Sequence, residues 1–287
     1  MRIRKAVLPV AGLGTRVLPA SKVIPKEMLP LVDKPTLQYI VEEAVEAGIE
    51  EIIFVTSRSK RSIEDHFDVF PELEQALERK GKLKELKALR HVQTMAIYTS
   101  VRQPVALGLG HAVLCAKALV GNEPFVVMLG DELVAPETPC LQRMMEIHEK
   151  YNGSVLSLFT SPPELISSYG IASVQDLESG VVQVSQLVEK PPLEEAPSDL
   201  AVAGRYILTP DIFELLEKTP QGRGGEIQVT DAIQMQAEAG HCYGLRFSGV
   251  RYDTGNPLGL LTTSIAYGLR DPAIAPGLRE YMRQVLQ

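Results

Sequence analysis

The sequence predicts an α/β protein built on a doubly wound, mostly parallel sheet. Short apolar runs alternate with longer segments in which apolar residues recur every three or four positions, and this strand, helix, strand rhythm is typical of parallel sheets. The runs 5–11, 52–56 and 124–129 are almost continuously apolar, as expected of strands buried on both faces. The first of these runs is followed by Gly12 and the third by Gly130 and Asp131, at the sheet edge where open α/β proteins bind ligands.

The first strand, residues 5–11, leads into a loop suited to a phosphate-bearing ligand. Gly12 and Gly14 allow backbone N–H groups to approach an anion closely, and Arg16 adds positive charge. Two glycines alone usually form only a turn. Neither of the better-known glycine motifs is present, because Val17 replaces the third glycine of the dinucleotide fingerprint and no P-loop string occurs. A hydride-transfer site is therefore disfavoured.

The elements up to residue 150 continue the same alternation. We expect a charged, solvated surface helix region at 60–90, and Gly108 is expected to open a helix in which His111 packs or caps. The other predicted elements are a helix at 35–47 and strands at 52–56, 94–99 and 124–129. The last strand ends in Gly130 and Asp131, and position alone leaves Asp131 equally open to a ligand role and to a cap.

The pattern changes after residue 154 to short strands separated by turns. This change predicts a mixed β region packed on the first sheet, followed by helices at 210–218 and 229–239 and a strand at 242–247. Helices after Asn256 complete the chain. The short strands are predicted at 155–160, 171–174, 181–188 and 201–208.

Composition limits the classes of partner. The net charge of −7 over 287 residues argues against nucleic acid, and no stretch is long and apolar enough to span a bilayer. The three cysteines are far apart and form no C-x-x-C pair, so we expect neither a disulfide framework nor a zinc site, and a cytoplasmic location. The histidines show no metal-binding spacing.

Two strings near the amino terminus carry a resemblance to a known family. They are G-L-G-T-R at 12–16 and P-K-E-M-L-P-L-V-D-K-P at 25–35. The chain resembles the sugar-phosphate nucleotidylyltransferases, and within them the bacterial uridylyltransferases, over nearly its whole length. The resemblance implies a Rossmann-like nucleotidyltransferase fold and Mg²⁺-dependent transfer of a uridylyl group from UTP to glucose 1-phosphate. That reaction needs no side-chain nucleophile, so the lack of a Ser-His-Asp or Cys-His set is consistent with it.

The resemblance also implies the nucleotide side of the site. Gln103 is expected to read the edge of the base, but thymine has the same edge as uracil. Transfer of a thymidylyl or cytidylyl group therefore stays an alternative, as does a regulatory relative without turnover. The implied nucleotide-binding residues are Ala11, Gly12, Gly14, Gln103 and Gly108, with Arg16 and Lys26 as catalytic residues at the phosphates.

The resemblance implies that Gly170, Glu189 and Lys190 bind the sugar phosphate and that residues 225–231 form a wall of the pocket. It also implies a catalytic role for Lys190. Taken alone, Glu189 and Lys190 would more simply be a surface ion pair. The implied magnesium ligands are Asp131 and Asp253. The chain departs from the family where Gly130 replaces a common proline and where Pro257 replaces a common lysine, so a lysine contact there is not carried over.

We expect one domain over residues 1–287. Its parts are 1–150, mainly for the nucleotide, 151–255, mainly for the sugar phosphate, and 256–287, the carboxyl-terminal helices. The resemblance implies a homodimer or homotetramer, and the helices after Asn256 could supply the interface.

Overall fold

Nine strands form one continuous sheet in the computed structural model, which describes residues 2–286. Two short two-stranded sheets lie beside it. The strands are β1 Lys5–Pro9, β2 Pro30–Leu31, β3 Lys34–Pro35, β4 Glu51–Thr56, β5 Ile97–Arg102, β6 Phe125–Met128, β7 Glu132–Val134, β8 Ser154–Thr160, β9 Gly170–Glu178, β10 Val181–Glu189, β11 Leu200–Leu208, β12 Cys242–Arg246 and β13 Arg251–Asp253. The two short sheets pair β2 with β3 and β7 with β13.

Helices cover both faces of the sheet. They are α1 Thr36–Glu46, α2 Arg61–Phe67, α3 Pro71–Arg79, α4 Leu83–Thr94, α5 Gly108–Cys115, α6 Lys117–Val120, α7 Cys140–Tyr151, α8 Ile212–Lys218, α9 Val229–Glu238, α10 Pro257–Gly268 and α11 Ala275–Val285. None of the helices within residues 2–286 is long and apolar enough to cross a membrane.

The amino-terminal half of the sheet is parallel. The strand order is β5-β4-β1-β6-β11-β8-β12-β10-β9, and β5, β4, β1 and β6 all pair in parallel. Parallel neighbours need a long crossover, which the intervening helices supply. The predicted doubly wound α/β fold is confirmed.

The mixed β region predicted after residue 154 is present, but it is continuous with the first sheet rather than packed on it. Strand β11 pairs antiparallel with β6, with Ile207 opposite Val126. Strands β9 and β10 are joined by Ser179 and Gly180, a connection that permits only antiparallel pairing. Beyond β6 only β8 and β12 are parallel neighbours, so the sheet is parallel in one half and mixed in the other.

Some element limits differ from the prediction. The strand predicted at 94–99 begins only at Ile97, because α4 continues through Thr94, whose hydroxyl donates to the carbonyl of Arg90. The helix predicted to start at Gly108 does so, but it divides at Ala116 into α5 and α6.

The core lies on both faces of the sheet. In β1, Ala6 and Leu8 face one apolar cluster, which includes residues of α1 and α7, whereas Val7 faces a second cluster that includes residues of α5, α8 and α9. All three β1 side chains are fully buried. Burial on both faces explains why the strand reads as a continuous apolar run.

Candidate active site

The loop after β1 is held in shape by contacts within the amino-terminal segment. Gly14 has a φ of +67°, which favours glycine, and its carbonyl accepts a hydrogen bond of 2.7 Å from the Ser21 hydroxyl. A methyl group at Gly14 would lie 3.4 Å from Cβ of Lys26. The glycine therefore lets the loop pack closely against the turn that carries Lys26.

Three charged residues from separate segments meet at the end of β6. Lys26 Nζ lies 2.5 Å from Asp131 Oδ2, and Arg16 Nη2 lies 3.5 Å from the same oxygen. The Arg16 side chain is 63% exposed, whereas those of Lys26 and Asp131 are mostly buried. The structure thus brings together two predicted phosphate-binding cations and one predicted metal ligand.

Asp253 lies beside Asp131 because β13 pairs with β7, with Asp253 opposite Glu132. The N–H of Gly255 donates to Asp253 Oδ1 at 2.8 Å. A methyl group at Gly255 would lie 2.5 Å from Asp131 Oδ2 and 2.9 Å from Asp253 Oδ1. The two carboxylates therefore face one small space, which only glycine leaves open.

This space is of a kind that suits a divalent cation. Magnesium usually takes one or two carboxylates and completes its shell with water and phosphate oxygens. Within residues 2–286 no group of three or more histidine, cysteine, aspartate or glutamate side chains could hold a metal by itself. The two carboxylates of Asp131 and Asp253 therefore fit a metal whose coordination is completed by phosphate oxygens and water.

The predicted base-reading residues lie after β5. Gln103 is 8% exposed, and its Nε2 donates to the carbonyl of Gly108 at 3.0 Å. Gly108 has a φ of +92°, and a methyl group there would lie 2.6 Å from Cβ of Glu226. The N–H of Ile227 donates to the carbonyl of Leu107. The predicted wall at 225–231 therefore packs on the loop that holds Gln103.

Ala11 and Gly12 follow β1 at the same edge of the sheet. Ala11 is 8% exposed, and Gly12 is exposed, with no atom within 4 Å of the position that a Cβ would take. Open backbone at this point is compatible with the flat face of a base.

The predicted sugar-phosphate residues lie where β9 begins and β10 ends. Gly170 and Glu189 are opposite each other in the sheet. The Thr230 hydroxyl donates to Glu189 Oε2 at 2.6 Å, and Lys190 Nζ lies 3.1 Å from Oε1 of the same carboxylate. Lys190 has a φ of +46°, and its side chain lines the same cavity as the carboxylate.

One cavity joins the two sides of the site. It has a volume of about 410 Å³ and lies between the predicted metal ligands Asp131 and Asp253 and the end of β10. Its lining includes Arg16, Asp131, Gly170, Glu189, Lys190 and Asp253. The ion pair of Glu189 and Lys190 is therefore part of a cleft rather than of an open surface.

Comparison with known proteins agrees with this geometry. A family model described as nucleotidyl transferase matches residues 5–268. The chain belongs to the nucleotidyl transferase family. It is 50% identical over 285 residues to the UTP–glucose-1-phosphate uridylyltransferase of Bacillus subtilis strain 168, an alignment that covers 99% of this chain and 98% of the relative.

Solved structures resemble this nucleotidyl transferase over almost its full length. A UTP-bound UGPase from Acinetobacter baumannii is 44% identical, with a TM-score of 0.90 and coverage of 100% of this chain and 99% of the other. A UDP-glucose pyrophosphorylase complexed with UDP-glucose is 45% identical, with a TM-score of 0.85 and coverage of 94% and 100%. The α/β nucleotidyltransferase fold is thus shown by sequence and by structure.

The structure of the nucleotidyl transferase also places residues in the cleft that the sequence did not single out. Glu132 lines the cavity and lies 2.8 Å from Arg251 Nη1, whose Nη2 donates to the Tyr169 hydroxyl at 2.7 Å. Burial raises the pKa of Glu132 to about 7, with Arg251 opposing the rise and Asp131 adding to it. Only its position next to Asp131 could have drawn attention to Glu132.

His111 was expected to pack or cap, and it lies against Gln103, the residue predicted to read the base. Its Nδ1 lies 3.1 Å from Nε2 of Gln103. Nε2 also donates to the carbonyl of Gly108, and it can donate its second proton to Nδ1 of His111 in the tautomer that leaves this nitrogen unprotonated.

Proposed function

We propose that this nucleotidyl transferase carries the uridylyl group of UTP to α-D-glucose 1-phosphate, giving UDP-glucose and pyrophosphate. The observation that carries the proposal is the cleft that has Asp131 and Asp253 on one side and Glu189 and Lys190 on the other, with Lys26 in contact with Asp131. A UTP-bound relative and a relative complexed with UDP-glucose share the fold over nearly the whole chain.

The reaction joins two anions, so positioning and charge neutralisation are the protein's main tasks. An oxygen of the sugar phosphate attacks the α-phosphorus of UTP, and the bond from that phosphorus to the bridging oxygen of pyrophosphate breaks. The attacking phosphate is already ionised near neutral pH, so no general base is needed. Arg16 and Lys26 would offset charge on the triphosphate, and Lys190 would hold the sugar phosphate.

Asp131 and Asp253 would hold Mg²⁺, the proposed cofactor. When bound, the metal would offset the negative charge of the phosphates and of the departing pyrophosphate. Lys26, which contacts Asp131, would remain beside the metal-ligand pair and add a fixed positive charge close to the reacting phosphates.

Glu189 is suited to accept hydrogen bonds from the hydroxyl groups of the sugar. Its carboxylate accepts a hydrogen bond from Thr230 and lies beside Lys190, so it is held in place and still offers lone pairs to sugar hydroxyls. Gly170, directly opposite in the sheet, leaves space against this carboxylate, since a methyl group there would lie 3.4 Å from Glu189 Oε2.

We further propose that residues 1–150 mainly bind the nucleotide, that 151–255 mainly bind the sugar phosphate, and that the protein works in the cytoplasm as a homodimer or homotetramer. The helices from residue 256 onward carry exposed apolar side chains, which include Leu258, Leu261 and Tyr281, 71%, 60% and 63% exposed. Such side chains would suit a contact between subunits.

The test is pyrophosphate release from the purified protein with glucose 1-phosphate and Mg²⁺, measured separately with UTP, dTTP, CTP, ATP and GTP. We expect release with UTP well above the other nucleotides. Lys26→Ala should abolish most of it, whereas Lys117→Ala, which removes an exposed lysine on α6, should not. Release favouring dTTP or CTP would indicate a thymidylyl- or cytidylyltransferase. A protein that binds UTP but releases no pyrophosphate would be a regulatory relative.

A further inference from the structure

A buried ion pair lies directly behind the charged side of the cleft. Lys60 Nζ lies 2.9 Å from Glu27 Oε2, and the two side chains are only 5% and 1% exposed. Neither residue has a part in the proposed reaction. Buried charges are costly unless they are paired, and even a paired set often contributes no net stability compared with apolar side chains. A contribution to stability therefore does not by itself explain why this ion pair lies behind the cleft.

The position of Glu27 is coupled to that of Lys26 through the backbone. Both residues belong to the short 3-10 turn Lys26–Met28. The Lys26 side chain reaches Asp131 in the cleft, whereas Glu27 points into the protein towards Lys60. Any change in the position of Glu27 will therefore rotate or shift the turn that presents Lys26.

Glu27 also packs on the segment that supplies the metal-ligand side. A methyl group at Gly130 would lie 2.9 Å from Cγ of Glu27. Gly130 immediately precedes Asp131, so the absence of a side chain at 130 lets Glu27 lie close against the end of β6. This contact gives a physical reason for glycine at position 130.

Lys60 comes from a third segment, the loop between β4 and α2. Its N–H donates to the carbonyl of Ser57 at 3.1 Å, and its carbonyl accepts from the N–H of Ile63 at 3.0 Å. The backbone of Lys60 is thus fixed at the start of α2. The ion pair connects this rigid point to the turn of Lys26 and, through Glu27, to the residue before Asp131.

We propose that Lys60 is a positioning residue for nucleotidyl transfer, which acts through Glu27 to fix Lys26 against Asp131. The proposal rests on the proposed function of this cleft. A displacement of about 1 Å in a catalytic group can lower the rate by about 100-fold. Lys60 itself lies behind the site, with its buried Nζ paired to Glu27.

The experiment is a double-mutant cycle on turnover, with Lys60→Met, Lys26→Ala and the double variant measured beside the wild type. We expect Lys60→Met to lower kcat by about 10- to 100-fold and to change the KM values for UTP and glucose 1-phosphate by less than about 3-fold. In the Lys26→Ala background the same substitution should lower kcat by less than about 3-fold, because the group that Lys60 positions is already absent.

Two further variants separate positioning from folding. Lys60→Arg keeps the charge and should retain most of the activity that Lys60→Met loses. Lys117→Met removes the lysine of an exposed ion pair with Glu217 and should leave kcat unchanged. If Lys60→Met does not fold, Lys60→Gln combined with Glu27→Gln, which removes both charges, takes its place in the cycle under the same criteria.

Two results would overturn the proposal. One is an unchanged kcat in Lys60→Met with only a lower melting temperature. The other is a loss of equal size in the wild-type and Lys26→Ala backgrounds, which would indicate a general structural role. A wild-type protein without turnover would contradict the proposed function itself, and with it this inference.

Discussion

The main-chain carbonyl of Asp131 accepts two hydrogen bonds from Thr254, one from its N–H at 2.8 Å and one from its hydroxyl at 2.9 Å. Thr254 is 3% exposed and follows Asp253 directly. The two proposed metal ligands are therefore joined through the backbone, although they lie far apart in the sequence. Their spacing is set before any ligand binds.

The first prediction concerns this carboxylate pair. Asp131→Asn keeps the shape of the side chain but removes its charge, so we expect kcat to fall by about 100- to 1,000-fold and the Mg²⁺ concentration for half-maximal activity to rise. The measurement is pyrophosphate release across a Mg²⁺ titration. Asp176→Asn, at an exposed aspartate paired with Arg246, is the control and should behave as wild type. An unchanged Mg²⁺ dependence in Asp131→Asn would remove Asp131 from the metal site.

Gly255 gives a second test of the same space. Gly255→Ala places a methyl group 2.5 Å from Asp131 Oδ2, where the metal would have to bind, so we expect a loss of at least about 10-fold in kcat with weaker Mg²⁺ activation. Gly277→Ala is the matched control, because no atom lies within 4 Å of the corresponding position in α11. Equal activity of the two variants would show that the space at Gly255 is not used.

The third prediction concerns base selection. His111→Ala removes one of the two contacts of the Gln103 amide and leaves its hydrogen bond to the carbonyl of Gly108, so the amide is less firmly held and can more readily present either a donor or an acceptor to the base. We expect the ratio of kcat/KM for UTP over CTP to fall by about 5- to 10-fold, the scale of one hydrogen bond. Gln103→Ala should lower it at least as far. Neither variant should change the Mg²⁺ requirement, and a ratio that stays at the wild-type value in His111→Ala would contradict this role.

The fourth prediction concerns Arg205, which is fully buried in β11. It forms an ion pair of 2.7 Å with Glu43 and donates to the carbonyl of Glu132 at 2.8 Å. Arg205→Met should lower the free energy of unfolding by about 3 kcal/mol, because the partners lose a buried cation. Urea denaturation measures this. Arg246→Met breaks an exposed pair and should cost less than about 1 kcal/mol; equal costs would contradict the buried role.

The fifth prediction follows from the pKa of Glu132, which burial raises from 4.5 to about 7. Between these values the folded protein binds more protons than the unfolded chain, so stability falls as the pH rises through this window. Glu132→Gln cannot titrate. The stability of wild type relative to Glu132→Gln should therefore fall by on the order of 2 kcal/mol between pH 4.5 and pH 8 in EDTA. A constant difference would contradict the raised pKa.

The sequence was a good guide to elements with strong local patterns. The apolar run at β1 predicted a buried strand, which the structure confirms, and the glycine loop after it predicted a ligand site, which stays a prediction. The convergence of Arg16, Lys26 and Asp131 could be expected because loops after parallel strands meet at one edge of the sheet. The family resemblance supplied the remaining roles.

Contacts that depend on long-range pairing could not be predicted in the same way. Glu132 and Arg251 meet only because β7 and β13, which are more than a hundred residues apart in the sequence, pair as antiparallel strands. Lys60 belongs to a charged segment that reads as solvated surface, and its burial depends on Glu27 from another loop. No local periodicity encodes such a partner.

The position of β11 has a consequence for dividing the chain. This strand, from the part proposed to bind the sugar phosphate, lies between β6 and β8, so a fragment that ends near residue 150 would expose the β6 edge that β11 covers. An exposed buried-strand edge promotes aggregation. The parts proposed to bind the nucleotide and the sugar phosphate therefore do not fold as separate domains. If the chain were divided near residue 150, the two fragments would have to fold together, because neither could form its part of the sheet first.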